Sequence, residues 1–271
     1  MKKIFYIIIT SFLIFSCTEV VDIPLDTNSP KLVIEATIIW QKGTVGNEQK
    51  IKLSTTTDFY SNTIPAVSNA IVVVKNNSGA TFNFIETPNT GIYVCSDFDP
   101  ELDKTYILTI VNKGQTYTAT ETLKPVAPIT DFTQETIQGF GGQVVNIKAN
   151  FIDPAATEDF YLFNYKVKEG KKPDFYVSDD KFYNGNPFFS TVFDDELKVN
   201  NPITVTHFGI SKGYYEYLNI LLNLAGNQGG GPFQAPPVAV RGNIINTSNR
   251  DDFPFGFFSL SESDTKNYTV E

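Results

Sequence analysis

Residues 32–40 alternate as a strand does, with an unbroken apolar set on one face, and this period of two is the strongest constraint the chain places on its own folding. Leu32, Ile34, Ala36, Ile38 and Trp40 point one way, while Val33, Glu35, Thr37 and Ile39 point the other. Successive side chains alternate across a strand but not around a helix, so the segment is committed to β structure. The pattern recurs. Strands are expected at Gln49–Ser54 and at Ala70–Lys75, the second turning through Asn76-Asn77-Ser78-Gly79, residues tolerant of positive φ, to pair with Thr81–Ile85. A further hairpin carries Tyr106, Leu108 and Ile110 on its inner face, reverses at Asn112-Lys113-Gly114 and continues inward with Tyr117 and Ala119. Seven short strands at this spacing, with no helical pattern between them, predict an immunoglobulin-like β-sandwich over residues 31–125. The Cys-Trp-Cys core of antibody domains is absent from it.

Lys124-Pro125-Val126-Ala127-Pro128 interrupts strand pairing with two prolines and marks a boundary, after which a second, β-rich domain is expected over residues 129–271. Strands are expected there at Gln143–Ile152, Phe160–Lys168, Ile203–Phe208, Val238–Ile245 and Phe255–Leu260. One amphipathic helix is expected between Ile210 and Gly226, where Tyr214, Tyr217, Leu218, Leu221, Leu222 and Ala225 form a stripe and Gly226-Asn227 stops it. Such a stripe reads as a core face before it reads as a ligand groove. A long loop follows, with Gly229-Gly230-Gly231-Pro232-Phe233 and Pro236-Pro237. The expected class is therefore mainly β: an N-terminal immunoglobulin-like sandwich, then a β-rich domain with one amphipathic helix.

Ahead of the strands, Lys2 and Lys3 precede an apolar or hydroxyl run, Ile4–Phe15, that closes in Ile14-Phe15-Ser16-Cys17. The run spans about a dozen residues, short of the roughly 20 that a helix needs to cross a bilayer, so residues 1–16 read as a signal peptide. A small residue before a thiol resembles a lipobox, in which the cysteine is acylated and the chain is cut before it. Cys17 is thus the expected lipid-attachment residue, residues 17–30 its tether, and a membrane the expected partner through that lipid. An ordinary secretory signal with an accidental cysteine is the alternative. Without Lys2 and Lys3 the chain has 19 basic against 30 acidic side chains. That balance argues against nucleic acid as a partner and against electrostatic adhesion to an anionic membrane, which leaves the lipid to hold the chain. With Cys17 consumed, Cys95 is a lone thiol and reads as a small buried hydrophobe.

Few residues are available for catalysis. His207 is the single histidine, it stands in the strand-like Val205-Thr206-His207-Phe208-Gly209, and no Gly-x-Ser-x-Gly elbow occurs, so it reads as structural. One histidine and one thiol cannot make a transition-metal site, and the triple glycine lacks the Lys-Ser/Thr of a phosphate loop. No cofactor and no metal are expected. Carboxylates are plentiful: Asp179-Asp180, Asp194-Asp195-Glu196 and Asp251-Asp252 are candidate pairs for glycoside chemistry, although loop acids are usually solvated charge. Asp97, Asp99, Glu101 and Asp103 alternate as in a calcium loop, but Pro100 intrudes and the loop's glycine and closing glutamate are missing.

Several short motifs occur in a fixed order: the Cys17 signal, Lys31-Leu32-Val33-Ile34-Glu35-Ala36, Gly91-Ile92-Tyr93, Thr105–Ile110, Pro232-Phe233, Pro236-Pro237, Arg241-Gly242-Asn243-Ile244 and Phe255-Gly256-Phe257-Phe258-Ser259. Together they resemble the domain-of-unknown-function 4249 family of Bacteroidota lipoproteins, over nearly the whole mature chain. The resemblance implies an outer-membrane lipoprotein, commonly encoded beside a TonB-dependent transporter, with no catalytic residue to carry over. Thr18 after the cysteine is similar to what outer-membrane lipoproteins show, while Glu19 and Asp22 leave open which face of that membrane is used. The expected function is a non-catalytic binding or accessory module that partners the transporter in nutrient uptake. Phe233, Phe255, Phe257 and Phe258, set among glycines and prolines, are the candidate contacts for a ligand or partner. A carbohydrate-binding or carbohydrate-active surface protein, or a structural envelope lipoprotein, are the alternatives.

Overall fold

In a computed structural model the chain is described over residues 29–58, 61–139, 142–167, 172–193, 197–225 and 240–271. The alternation in the sequence becomes pleat. β1 (Leu32–Gln41) buries Ile34, Ala36 and Ile38 completely and turns Glu35, Thr37 and Ile39 to solvent. β2 (Gln49–Thr55), β3 (Ile71–Asn76), β4 (Thr81–Thr87), β5 (Ile92–Cys95), β6 (Thr105–Asn112) and β7 (Gln115–Thr122) follow. Both expected hairpins form, with Val72 opposite Phe84 and Leu108 opposite Ala119. In the second, Lys113 and Gly114 adopt φ of 48° and 78°, the two left-handed residues of a type I′ turn.

β1, β2, β5 and β4 run side by side in one sheet, and β3, β6 and β7 in the facing one, with β4 hydrogen-bonded to both β5 and β3. That is the strand order of an immunoglobulin-like sandwich. Ile34, Ile38, Ile51 and Leu53 meet Val74, Tyr106, Leu108 and Ile110 in its core. The Cys95 thiol is sealed in the same core, where burial pushes it up to about 11.

The second half is also two-layered. β8 (Ile129–Gly139), β9 (Gly142–Ile152) and β12 (Pro187–Phe193) make a three-stranded sheet. Across a second core lie β10 (Phe160–Lys166), β11 (Asp174–Asp179), β13 (Pro202–Ile210) and part of β15 (Phe255–Thr269). Helix α1 (Lys212–Ala225) starts where Ser211 Oγ accepts the Tyr214 N–H at 3.2 Å, and the same hydroxyl donates to Glu121 Oε2 on β7 at 2.7 Å. Its first half packs Tyr214, Tyr215, Tyr217 and Leu218 against Phe160, Leu162 and Phe208. The expected stripe does not continue to the helix end: Leu221 is exposed, as are Ile220 and Leu224.

Residues 244–263, which local pattern places with the C-terminal region, join the first sandwich. β15 runs parallel to β1 from Phe255 opposite Val33 to Ser263 opposite Gln41, then antiparallel to β13 as far as Thr269 opposite Pro202. Ile244, Phe258 and Leu260 therefore lie in the first core and Val270 in the second. The strand expected at Val238–Ile245 shrinks, among the described residues, to β14 (Ile245–Asn246) beside β7. Upstream of it, Asn243 replaces a backbone pair with its amide: Nδ2 donates to the Phe258 carbonyl at 2.8 Å and Oδ1 accepts the Phe258 N–H at 2.9 Å.

The proline-rich boundary is clamped by β15. Lys124 forms a parallel bridge with Ser261, Val126 N–H donates to Glu262 Oε2 at 3.0 Å, and Ile129 N–H donates to Asp264 Oδ2 at 2.8 Å. Glu262 is buried and also takes Lys42 Nζ at 2.9 Å. From the other side Gly209 approaches so closely that a Cβ there would sit 1.8 Å from the Pro125 carbonyl oxygen.

Candidate functional site

A cleft of about 180 Å³ opens where the described chain begins, between the start of β1, the end of β2, the β6–β7 turn and the segment entering β15. Lys31, Lys113, Asp252 and Phe253 stand on its walls. Its floor is built from amides: Asn246 Nδ2 donates to Gln115 Oε1 at 2.7 Å and to the Asp252 carbonyl at 3.0 Å, and the Tyr117 hydroxyl donates to the same Gln115 oxygen at 3.0 Å. Asn246 is buried and its Oδ1 accepts the N–H groups of Ser248 and Asn249, which fixes the loop before β15.

Phe253 draws two cations. The Lys31 ammonium lies 4.1 Å from its ring centroid and the Arg241 guanidinium carbon 3.7 Å, within reach of the ring quadrupole. Arg241 arrives there because Gly242 lets the backbone pass Gly256: a Cβ on Gly242 would sit 1.7 Å from the Gly256 carbonyl oxygen. Lys31 is held through its own N–H, which donates to Thr56 Oγ1 at 2.9 Å. Among the described residues, the ion pairs engage Lys42, Lys52, Lys104, Lys148 and Lys181, and none engages Lys31, Lys113 or Arg241. Lys31 and Lys113 line the opening together with Asp252, and Arg241 shares the Phe253 ring with Lys31. Sequence spacing hides this group, because its members come from both ends and the middle of the chain: Lys31, the Asn112-Lys113-Gly114 turn, Arg241-Gly242-Asn243 and Asp251-Asp252 are each legible in the sequence, but not their convergence.

The residues singled out by sequence fare differently. Cys17 and Phe233 lie outside the described residues, as do Asp194, Asp195 and Glu196. Phe255 is half-buried, with its ring 5.8 Å from that of Phe253. Phe257 and Phe258 are corrected from surface contacts to packing residues. The β1–β15 pairing drives Phe258 into the first core with no exposure, and Phe257 is buried against Tyr214 and Tyr217 at ring separations of 4.9 and 5.0 Å. Asp251 and Asp252 are exposed.

The Asp97–Asp103 loop folds around Tyr106, whose hydroxyl donates to the Asp99 carbonyl at 3.2 Å and accepts the Glu101 N–H at 2.9 Å. The carboxylates that do converge, among the described residues, are Asp153, Asp159 and Asp180, with oxygens within 4.8 Å of one another. The fold supplies their partners. Asp153 accepts Tyr161 O–H at 2.7 Å and Gly185 N–H at 3.0 Å, Asp180 accepts Asp159 N–H at 2.8 Å and Asn184 Nδ2 at 2.9 Å, and Asp159 accepts the Thr157 hydroxyl at 2.6 Å. Burial, and behind it the neighbouring carboxylates, raises the Asp159 carboxyl above its ordinary range in spite of the Thr157 bond.

His207 does meet a serine, with Nε2 2.6 Å from Ser190 Oγ. Both are buried, Nδ1 has no partner, and the rings of Phe151 and Phe163 lie 5.4 and 4.6 Å away. A catalytic dyad needs an acceptor on Nδ1 and room for a substrate. This pair instead continues through Tyr165 and Tyr176 to the Thr191 backbone as a buried polar network, and burial pushes His207 down to about 3.

Among solved structures, the chain is similar to a two-domain fibronectin type-III segment of chicken tenascin, at 13% identity over 67% of this chain and 91% of that one, with a TM-score of 0.22. It is also similar to the FN1–FN3 domains of chicken CNTN1, at 14% identity over 66% and 63% of the two chains, with a TM-score of 0.28. The sandwich assignment rests on the strand pairing itself. No match is found among curated proteins. The model of one family, described as "Domain of unknown function (DUF4249)", matches residues 18–267, nearly the whole chain, and this protein belongs to that family.

Proposed function

We propose that this protein is an outer-membrane lipoprotein, held by lipid on Cys17, that acts as a non-catalytic binding or accessory module beside a TonB-dependent transporter in nutrient uptake. The observation that carries the reading is the N-terminal run: two lysines, the apolar Ile4–Phe15, then Ser16-Cys17. Three acyl chains, each contributing about 0.8 kcal/mol per buried CH₂, make release from the membrane negligible. Labelled palmitate supplied to cells should enter the wild-type chain and be absent from Cys17→Ser, which should accumulate uncleaved or be released. Acylation of the Cys17→Ser chain at the wild-type level removes the anchor from the proposal. A pull-down of the lipidated protein should recover an outer-membrane transporter, and recovery of none removes the accessory role.

A further inference from the structure

We infer that the outward face of the sheet formed by β4, β3, β6 and β7 is an interface for a second copy of this chain, the two sheets packing face to face in a reversible dimer. The strand register gathers this face. Val73 lies opposite Thr109 and Thr109 opposite Thr118, while in the next row Lys75 lies opposite Ile107 and Ile107 opposite Thr120. Ile71, Ile85 and Ile107 are 63, 69 and 45% exposed on it, and every outward position of β7 from residue 116 to 122 is a threonine. Lys75 is the single charge among the outward positions of these four described strands. Solvent-facing surface ordinarily carries about a quarter to a third charged residues, so a face this bare is built for contact.

Charge and shape identify the occupant. With 19 basic against 30 acidic side chains, two copies of the mature chain repel each other over most of their surface, and here they meet without that cost. No aromatic ring stands among these positions for a sugar to stack on, and no cluster of one sign for an ion. Branched side chains on a pleated face are what the two sheets of a sandwich present to each other at about 10 Å. Four strands of six to eight residues cover roughly 20 by 20 Å, about 400 Å² per copy. That falls short of the roughly 1,200 Å² at which stable interfaces begin, so the dimer is a weak, concentration-dependent one. Asn112 and Lys113 of the β6–β7 turn line the same cleft as Lys31 and Leu32, so the chain enters at one end of this face. A two-fold axis along β6 and β7 therefore leaves both N-termini on one side, and the anchor proposed above would concentrate the copies in that orientation. The pairing itself does not rest on the anchor.

The full mature chain with Cys17→Ser keeps every strand and all three cores, which lie within the residues described from 29 onward. In sedimentation equilibrium from micromolar to millimolar loading, its mean mass should climb from that of a monomer toward twice that value. The climb should begin at lower loading as sodium chloride is raised, because salt screens the repulsion between acidic copies. Over the same range the amide resonances of Val73, Ile107 and Thr118 should shift. Val73→Lys/Thr109→Lys, which sets like charges against each other across the two-fold axis, should stay monomeric. Ile107→Thr, a residue type the face already carries, should weaken association several-fold with the circular dichroism unchanged, and the exposed Lys50→Gln on β2 should leave it unaltered. A wild-type chain that remains monomeric at millimolar loading overturns the proposal. So does association that survives Val73→Lys/Thr109→Lys, is undiminished in Ile107→Thr, or shifts Ile220 and Leu224 of α1 in place of the sheet. Sheet amides that move only when dihexanoyl-phosphatidylcholine micelles are added, with the chain still monomeric, would give the face to lipid and not to a second copy. All of these measurements use unacylated chain, so failure of the anchor and failure of the dimer are separable.

Discussion

His207 has its Nε2 on Ser190, its ring 4.6 Å from that of Phe163, and a pKa pushed down to about 3 by burial. In the unfolded chain it takes up a proton near 6.5, in the folded one only near 3, so between those values the unfolded state binds more protons and stability falls as the pH is lowered. The slope for one such group is about 1.4 kcal/mol per pH unit, and by pH 5 the loss reaches about 2 kcal/mol. His207→Gln, which keeps a partner for Ser190, should flatten the dependence of the urea midpoint on pH between 6.5 and 5. An unchanged slope would place the proton uptake elsewhere. The structural role of His207 was legible because one histidine in a strand has few alternatives. The opposite holds for Lys31, Lys113, Arg241 and Phe253, which are ordinary residues in ordinary places until β15 brings Phe253 and Arg241 beside Lys31.

At the scale of the element, the hairpins are legible in the sequence, whereas of β15 only the Phe255–Leu260 part is, and neither its full length nor its partners. The β3–β4 and β6–β7 pairs announce themselves through local alternation and turn residues, with Asn76 Oδ1 accepting the N–H groups of Ser78 and Ala80 at 3.1 and 2.9 Å. β15 lies between β1 and β13, buried on both sides, yet it carries Ser259, Ser261, Glu262 and Ser263, so its pattern is neither alternating nor continuously apolar. Glu262 is tolerated there because partners more than a hundred residues away satisfy it, Lys42 on one side and Val126 on the other. Glu262→Ala leaves the buried Val126 N–H without its acceptor and the exposed Lys42 without its ion pair, and should cost about 2–3 kcal/mol in urea unfolding. Glu262→Gln retains an oxygen for Val126 and should cost distinctly less. The alanine variant should also expose the bond after Lys124 to trypsin. If that bond stays resistant in Glu262→Ala, the boundary is held by its prolines and not by β15.

For the whole molecule, the sharing of β15 makes two sandwiches into one cooperative unit. Trp40, packed at the edge of the first core, reports on one half, and loss of β15 beyond Ser263 removes strand pairs and Val270 from the other. Urea unfolding followed by Trp40 fluorescence and by far-UV circular dichroism should give coincident transitions. A chain ending at Ser263 should lower the Trp40 midpoint even though the strand partner of Trp40, Glu262, is retained. Separate transitions, or a Trp40 midpoint indifferent to the truncation, would mean two independent domains. The two-layered, mainly β architecture was visible in the sequence; its continuity was not, because a parallel pairing between Val33 and Phe255 leaves no local trace. The same pairing bears on biosynthesis. The strand flanking β1 is made some 220 residues after it, so the first half cannot close its sheet until Phe255–Ser263 has been synthesised, and domain-by-domain folding from the N-terminus is denied to it. An N-terminal fragment that stops short of Phe255–Ser263 therefore lacks both the strand beside β1 and part of its own core.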